Sequence, residues 1–446
     1  MFNLESFCGE VWSQIEINTL GDYKICCLSN YAKDYGMAYD KDGNVMNVLT
    51  HSIEEAVNSE THKDHRLQLK QNIKVQRCRN CYDSEDSTRG QGDWGEHSKK
   101  WGRSKRQRVT ADTAHAIPEY VTYRTADQYT LPDGTSTAKV VNLGIRFGNL
   151  CNQKCIMCSP EFSTLWYDDF VEMFGTHIPI GFGGYTKYNI VKDSNGKNTL
   201  NFAKWWEHPI WWERFESIAP NLRHFYLTGG EPLVVPAMQE MLDRLIARDF
   251  AKNITLRFDT NLSVINKKVI EKFKHFKKIN FCVSVDDIDE RYELIRFPGK
   301  YNTIIDNIKT LKENGMDIHY LSCCIGVASI YTPIRVTEEA EKLGIPTEFR
   351  FLEGPDWLDI RSLPKSAKLE IIEKYNSLMH HSSVRTKWYK SLIKLLEKYM
   401  DYENVNRLAK FVTTMDKLDK IRGTEWRKVL PDVQDILARH CPNIGA

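Results

Sequence analysis

Arg146-Phe-Gly-Asn-Leu-Cys-Asn-Gln-Lys-Cys-Ile-Met-Cys-Ser-Pro160 is the stretch on which the reading of this chain turns. It sets Cys151, Cys155 and Cys158 in a C-x3-C-x2-C triplet directly after an apolar run. Three thiolates held by one short loop suit a cubane iron–sulfur cluster. Three protein ligands on four irons leave one iron open, and an open iron can bind and reduce something.

Around this loop, from about 138 to 354, strand-like runs alternate with helical ones. The candidate strands are 140–147, 223–228, 254–258, 279–285, 318–325 and 347–352. Helical stretches lie between them at 237–249 and 303–314, the second closed by Gly315. Six strands alternating with helices predict a parallel α/β arrangement, either an open sheet or a partial barrel. Ligands in such folds gather at the C-terminal strand ends, and the cysteine loop follows the first strand there. An insertion at about 171–220 separates the first strand's unit from the second. Its Trp205-Trp-Glu-His-Pro-Ile-Trp-Trp212 segment reads as apolar packing, with a substrate wall as the other reading.

Composition bounds the rest. The chain has 446 residues, 41 % hydrophobic and 27 % charged, with a net charge of +2. That suits a soluble globular protein of two or three domains and gives no global pull toward nucleic acid or membrane. No apolar run approaches the ~20 residues of a membrane span, and the N-terminus lacks the basic-then-apolar order of a secretory signal. The expectation is a cytoplasmic protein. Its 12 cysteines therefore favour metal or cluster ligation over disulfides. Four segments follow: a cysteine-rich domain at 1–90, a polar and basic linker at 91–137, the α/β core at 138–354, and a charged, amphipathic helical region at 355–446.

The second strand runs into Thr228-Gly-Gly-Glu-Pro232. Gly229 and Gly230 let the backbone approach a ligand closely, and Glu231 suits an ammonium. Alone, this segment is a tight turn. One βα unit after a C-x3-C-x2-C loop, it carries more weight.

With both motifs in place, the chain resembles a radical S-adenosylmethionine (SAM) enzyme. The cysteine triplet is similar to that superfamily's cluster motif, and Gly229, Gly230, Glu231 and Pro232 are similar to its methionine-amine motif. The resemblance implies a partial (β/α)6 TIM-like barrel, in agreement with the six strands. Met157 departs from the aromatic residue often found beside the last cysteine. Phe258-Asp-Thr-Asn-Leu262 resembles a family segment in which Asn261 would contact the SAM ribose or carboxylate. Val283-Ser-Val-Asp-Asp287 and the later Arg296 resemble a segment in which Ser284 and Arg296 would bind that carboxylate, as a guanidinium fork can. Read without the family, Asn261 and Ser284 are equally caps or turn residues, and Arg296 a surface ion pair. The implied mechanism is reductive cleavage of SAM to methionine and a 5′-deoxyadenosyl radical, which abstracts hydrogen from a substrate C–H bond. It implies a low-potential [4Fe–4S] cluster and a flavodoxin- or ferredoxin-like reductant.

The N-terminal region reads C-x12-G-x4-C across Cys8, Gly21 and Cys26, followed by the C-x2-C pair Cys78 and Cys81. Four thiolates in two pairs suit a tetrahedral zinc or a fully ligated [4Fe–4S] cluster, and spacing alone leaves both open. The pattern is similar to the SPASM and twitch extensions of radical SAM enzymes, which implies a second, auxiliary [4Fe–4S] cluster. The shorter twitch form fits one four-cysteine set better. The extension here precedes the core, whereas in most such enzymes it follows. Cys27 is an alternative to Cys26 as ligand. Cys282, Cys323, Cys324 and Cys441 read as small buried hydrophobes.

The resemblance implies a peptide, protein or small biosynthetic intermediate as substrate. Lys99-Lys-Trp-Gly-Arg-Ser-Lys-Arg-Gln-Arg108, with six basic residues in ten, keeps a nucleotide or nucleic-acid substrate open. A non-catalytic, zinc-stabilised binding protein would explain the cysteine pairs but not the Gly-Gly-Glu-Pro turn. Anaerobic purification separates these readings: the enzyme reading expects a brown protein with about eight irons per chain. Zinc without iron in both sites would remove it, and zinc in the N-terminal site alone would remove only the auxiliary cluster.

Overall fold

The structure is a computed structural model that describes residues 2, 5–29, 36–79, 81–82, 120–178, 188–379 and 383–444. The basic run at 99–108 and most of the linker at 91–137 lie outside the described residues. Eleven strands are described: β1 Gln14–Ile17, β2 Tyr23–Lys24, β3 Asn142–Arg146, β4 His177–Ile178, β5 Tyr188–Lys192, β6 Asn198–Leu200, β7 His224–Thr228, β8 Thr255–Thr260, β9 Lys278–Ser284, β10 Ile318–Ile325 and β11 Thr347–Phe351. Eight of them are hydrogen-bonded in the order β11-β10-β9-β8-β7-β3-β1-β2.

The six strands expected from the sequence are β3, β7, β8, β9, β10 and β11, consecutive in that order. The pairs β3/β7, β9/β10 and β10/β11 are parallel. This is the α/β strand order that a partial (β/α)6 barrel requires. The N-terminal region adds to it: β1 pairs in parallel with β3, Gln14 opposite Asn142 and Ile17 opposite Ile145, while β2 closes antiparallel on β1.

The chain divides into two compact units. One comprises Met1–Gly148, Phe202–Arg257 and Glu271–Ile279; the other comprises Asn149–Asn201, Phe258–Ile270 and Asn280–Ala446.

In the first unit, alternation sets the two faces of each strand. Leu143, Ile145, Phe225 and Leu227 are buried, while Asn142, Arg146, His224 and Tyr226 are less so. The helix Pro236–Ala247 opens on a proline, whose missing N–H is one of the helix's unpaired ends anyway. It buries Met238, Met241, Leu242 and Leu245, a single helical stripe. Two rings of the tryptophan segment, Trp205 and Trp211, lie in the core. Trp205 and Trp211 are fully buried with ring centroids 5.0 Å apart, and Trp205 Nε1 donates to the Thr19 carbonyl at 3.1 Å. A second cluster joins Phe2, Phe7, Trp12, Leu69 and Val75 to Cys8. Arg66, fully buried, fastens it by donating to the Val11 carbonyl at 3.1 Å and the Gly134 carbonyl at 2.9 Å.

In the second unit, β9, β10 and β11 are followed by the C-terminal helices Lys365–Ser377, Ser383–Lys398, Val405–Arg422, Trp426–Val429 and Pro431–His440. The helix Val405–Arg422 buries Leu408, Phe411, Val412, Met415 and Leu418. The insertion contributes a small antiparallel sheet, β4-β5-β6. Among the described residues no helix is long and apolar enough to cross a membrane.

Gly144 sits where a side chain would strike Glu16, which is fully buried: an added Cβ would lie 2.3 Å from Glu16 Oε2. Arg146 Nη1 approaches the same carboxylate at 3.5 Å, so it has little freedom to retreat. Gly144→Ala is expected to destabilise the protein by about 1–3 kcal/mol, checked by urea denaturation. Unchanged stability would mean that Glu16 moves aside freely.

Candidate functional site

The C-x3-C-x2-C loop lies in the second unit, fastened from several sides. Lys154 N donates to the Phe297 carbonyl at 2.7 Å and Ile156 N to the Ile295 carbonyl at 2.9 Å. Trp166 Nε1 donates to the Cys155 carbonyl at 2.9 Å, and Ser163 Oγ to the Gln153 carbonyl at 2.6 Å. A loop whose carbonyls and amides are claimed in this way holds its side chains in few orientations. Cys155 is buried, and Cys151 and Cys158 are half-buried. Burial pushes the Cys158 thiol well up, and the neighbouring Cys155 and Cys151 push it further, so the three sulfurs feel one another. Burial also raises Cys155, with Arg296 opposing it.

Arg296 stands beside these thiols, its Nη1 3.8 Å from Cys155 Sγ. Its Nε lies 2.6 Å from Asp286 Oδ2, with side chains 11 % and 0 % exposed. Asp286 Oδ1 also accepts from Cys324 N at 2.6 Å. Burial pushes the Asp286 carboxyl up, and Arg296 and that N–H partly offset it. Burial disfavours the Arg296 charge, but Asp286 and then Cys155 outweigh it and hold the guanidinium protonated. The family resemblance implies that Arg296 binds the SAM carboxylate. In the structure its side chain also serves a buried carboxylate and a cysteine, a role that the Val-Ser-Val-Asp-Asp segment does not announce.

Asn261 is buried beside the same loop. Its Nδ2 lies 4.0 Å from Cys151 Sγ and donates to Asn152 Oδ1 at 3.0 Å, while its Oδ1 accepts from Ser263 N at 2.9 Å. Ser284 is the half-buried last residue of β9, opposite Ser322 of β10. Charged groups to which sequence reasoning gave no role complete the surroundings. Asp169 accepts from Lys154 Nζ at 2.7 Å and from Arg422 Nε at 2.9 Å.

In the first unit, β7 ends at Thr228 and turns at once. Gly229 has φ +110°, and a Cβ there would come within 3.0 Å of Arg146 Cβ. A side chain would therefore meet both backbone strain and a neighbour. Gly230 is half-buried, and Pro232 is buried. Glu231, 1 % exposed, caps the short turn after it by accepting from Leu233 N at 3.1 Å.

The same unit gathers the N-terminal cysteines. One cavity is lined by Cys8, Cys26, Cys78 and Cys81, with Glu10, Leu28 and Arg77 completing the wall. Of the adjacent pair, Cys26 lines it and Cys27 does not. Leu28 N lies 3.3 Å from Cys26 Sγ, and His65 Nε2 lies 3.5 Å from Cys78 Sγ. Burial pushes the Cys8 thiol well up, followed by Glu10, Cys78 and Cys81. Among the described residues, no three His, Cys, Asp or Glu side chains stand close enough to hold a single metal ion.

Arg296→Met would leave Asp286 buried without its cation. The expected cost is about 3–5 kcal/mol, with Arg296→Met/Asp286→Leu recovering most of it. Chemical denaturation of the iron-free protein measures both. Equal losses in the single and double variants would show that the pair contributes only packing.

Residues 145–343 match the profile of the radical SAM superfamily, and residues 8–82 match an iron–sulfur cluster-binding domain, SPASM. No curated protein matches the chain. Among solved structures, native anSMEcpe with bound AdoMet aligns at 15 % identity and TM-score 0.35, over 54 % of this chain and 61 % of that one. The chain thus spans about three-fifths of the length of anSMEcpe. Streptococcus suis SuiB aligns at 13 % identity and TM-score 0.36, over 83 % of this chain and 68 % of that one. SuiB bound to the precursor peptide SuiA aligns at 14 % identity and TM-score 0.34, over 66 % and 60 %. Residues 145–343 are thus a radical SAM domain, and a SPASM iron–sulfur cluster-binding domain at residues 8–82 precedes it.

Proposed function

We propose that Cys151, Cys155 and Cys158 ligate the [4Fe–4S] cluster of a radical SAM enzyme, and that Cys8, Cys26, Cys78 and Cys81 ligate an auxiliary one. The observation that carries this reading is the position of Cys155: a buried thiol, on a loop fastened at four backbone groups, with a buried guanidinium 3.8 Å away. Thiolates and their cluster are anionic, and a cation held in low dielectric favours them. The donor set fits. Three cysteines suit a cluster with an open iron, and four cysteines around one cavity suit a closed one.

When bound, the cluster and SAM supply a 5′-deoxyadenosyl radical that abstracts hydrogen from the substrate. The chain's own residues bind, orient and exclude. Gly229 and Gly230 leave room for the methionine end of SAM, and Glu231 offers its amine a carboxylate. Asn261, Ser284 and Arg296 are the groups proposed for the ribose and carboxylate. Arg296 is shared in this role, since Asp286 holds one edge of its fork and leaves the rest to a second anion. The auxiliary site, with all four ligands from cysteine, is proposed to relay the electron left after hydrogen abstraction. A flavodoxin- or ferredoxin-like protein is proposed as reductant.

The proposed substrate is a peptide or protein, or a small biosynthetic intermediate, as the resemblance to SPASM and twitch enzymes suggests. Unlabelled enzyme and SAM, incubated with deuterated peptide pools and separately with deuterated nucleoside pools, test this directly. Deuterium in 5′-deoxyadenosine from the peptide pools alone is the expected result. Transfer only from nucleosides would replace the substrate class. Production of 5′-deoxyadenosine by the Cys151→Ala/Cys155→Ala/Cys158→Ala variant would overturn the cluster assignment itself.

A further inference from the structure

The C-terminal helices lie beyond residue 343, outside both matched family domains. One of their side chains nevertheless reaches the cysteine loop. Arg422, the last residue of the helix Val405–Arg422, has a side chain only 2 % exposed. Its Nε donates to Asp169 Oδ2 at 2.9 Å. The other oxygen of Asp169 accepts from Lys154 Nζ at 2.7 Å, and Lys154 stands immediately before Cys155. The Arg422 guanidinium lies over the Trp166 ring at 4.8 Å and the Phe297 ring at 5.4 Å. Both rings belong to residues that hold the loop: Trp166 through the Cys155 carbonyl, and Phe297 through Lys154 N.

Two features make this more than a packing contact. Arg422 Nη1 and Nη2 are buried and have no hydrogen-bond partner among the described residues. Leaving charged donors unpaired in a dry place is costly unless nearby negative charge compensates. Asp169 is shared with Lys154, so two cations meet one carboxylate on this side of the loop. Arg296 is likewise held by Asp286 on its own side. Lys154, Arg422 and Arg296 thus set three positive charges against the two negative charges of Asp169 and Asp286, an excess that favours an anion nearby.

We propose that Arg422 is a positioning residue for the SAM-binding cluster: through Asp169 and Lys154 it fixes the Cys151–Cys155 segment, and its unpaired guanidinium edge offsets the negative charge of the cluster. The proposal rests on the assignment of Cys151, Cys155 and Cys158 above. It gives the C-terminal region a task, since a loop ligating iron is locked by a residue more than 260 positions later.

The test uses the full chain with both sites loaded, comparing Arg422→Met, Arg422→Lys and Asp169→Asn. The readouts are iron retained after anaerobic desalting and the midpoint potential of the SAM-binding cluster, followed by electron paramagnetic resonance. Removing a cation makes reduction harder, and removing an anion makes it easier. Arg422→Met is therefore expected to move the potential negative and to lower bound iron from about eight toward about four per chain. Asp169→Asn is expected to lose iron similarly while moving the potential positive. Arg422→Lys is expected to keep the wild-type potential. The auxiliary site is the internal control, because its iron should survive in all three. Wild-type iron and potential in Arg422→Met would overturn the proposal, as would shifts of the same sign in Arg422→Met and Asp169→Asn. If Arg422→Met loses the auxiliary iron as well, Asp169→Asn decides: a potential that does not move positive would overturn the proposal. A triple cysteine variant that keeps the same signal would instead overturn the cluster assignment, whatever the Arg422 variants do.

Discussion

The ion pair between Arg296 and Asp286 is the interaction around which the cysteine-loop side of the molecule is arranged. A buried carboxylate and a buried guanidinium are each expensive alone. Together, at 2.6 Å, they hold a cation within 3.8 Å of Cys155. Thiols in apolar surroundings resist ionisation, and every described cysteine of the loop for which burial acts is pushed in that direction. Cations held in place counter that push. Because Arg296 is anchored by Asp286, its position does not depend on what else occupies the site.

The N-terminal cavity is organised differently. Its four cysteines come from segments up to 73 positions apart and are collected by packing. Cys8 belongs to the aromatic cluster of Phe2, Phe7 and Trp12, and Leu69 and Val75 of that cluster lead the chain toward Cys78. Arg66 locks the arrangement with hydrogen bonds to carbonyls on both sides. Long-range apolar contacts thus do for this site what backbone hydrogen bonds do for the C-x3-C-x2-C loop. The two sites belong to different compact units, and each has its own means of support.

Much of the fold was legible from periodicity. All six core strands lie where alternation and turn residues put them, because a strand with one covered face must alternate. In the structure Trp12 belongs to the short helix Glu10–Ser13, and the strand begins at Gln14. The pairing of β1 with β3 was not legible, because it joins residues about 130 positions apart and no local pattern records such a partner. The tryptophan segment divided between core and substrate wall on sequence. Burial of Trp205 and Trp211 places those two rings in the core.

The sequence by itself marked the candidate cluster loops and the glycine turn. Cysteine spacing within one loop and the Gly-Gly-Glu-Pro turn are local patterns, and local patterns survive in the order of residues. Tertiary structure alone decided which charges stand behind the cysteines and which of Cys26 and Cys27 faces the cavity. Asp169 and Arg422 belong to no motif, and the segment that contains Asp286 does not tell its partner, since an ion pair is defined by distance in space and leaves no fixed spacing along the chain. The choice between adjacent cysteines depends on the direction of each side chain, which the packing of the surrounding turn sets.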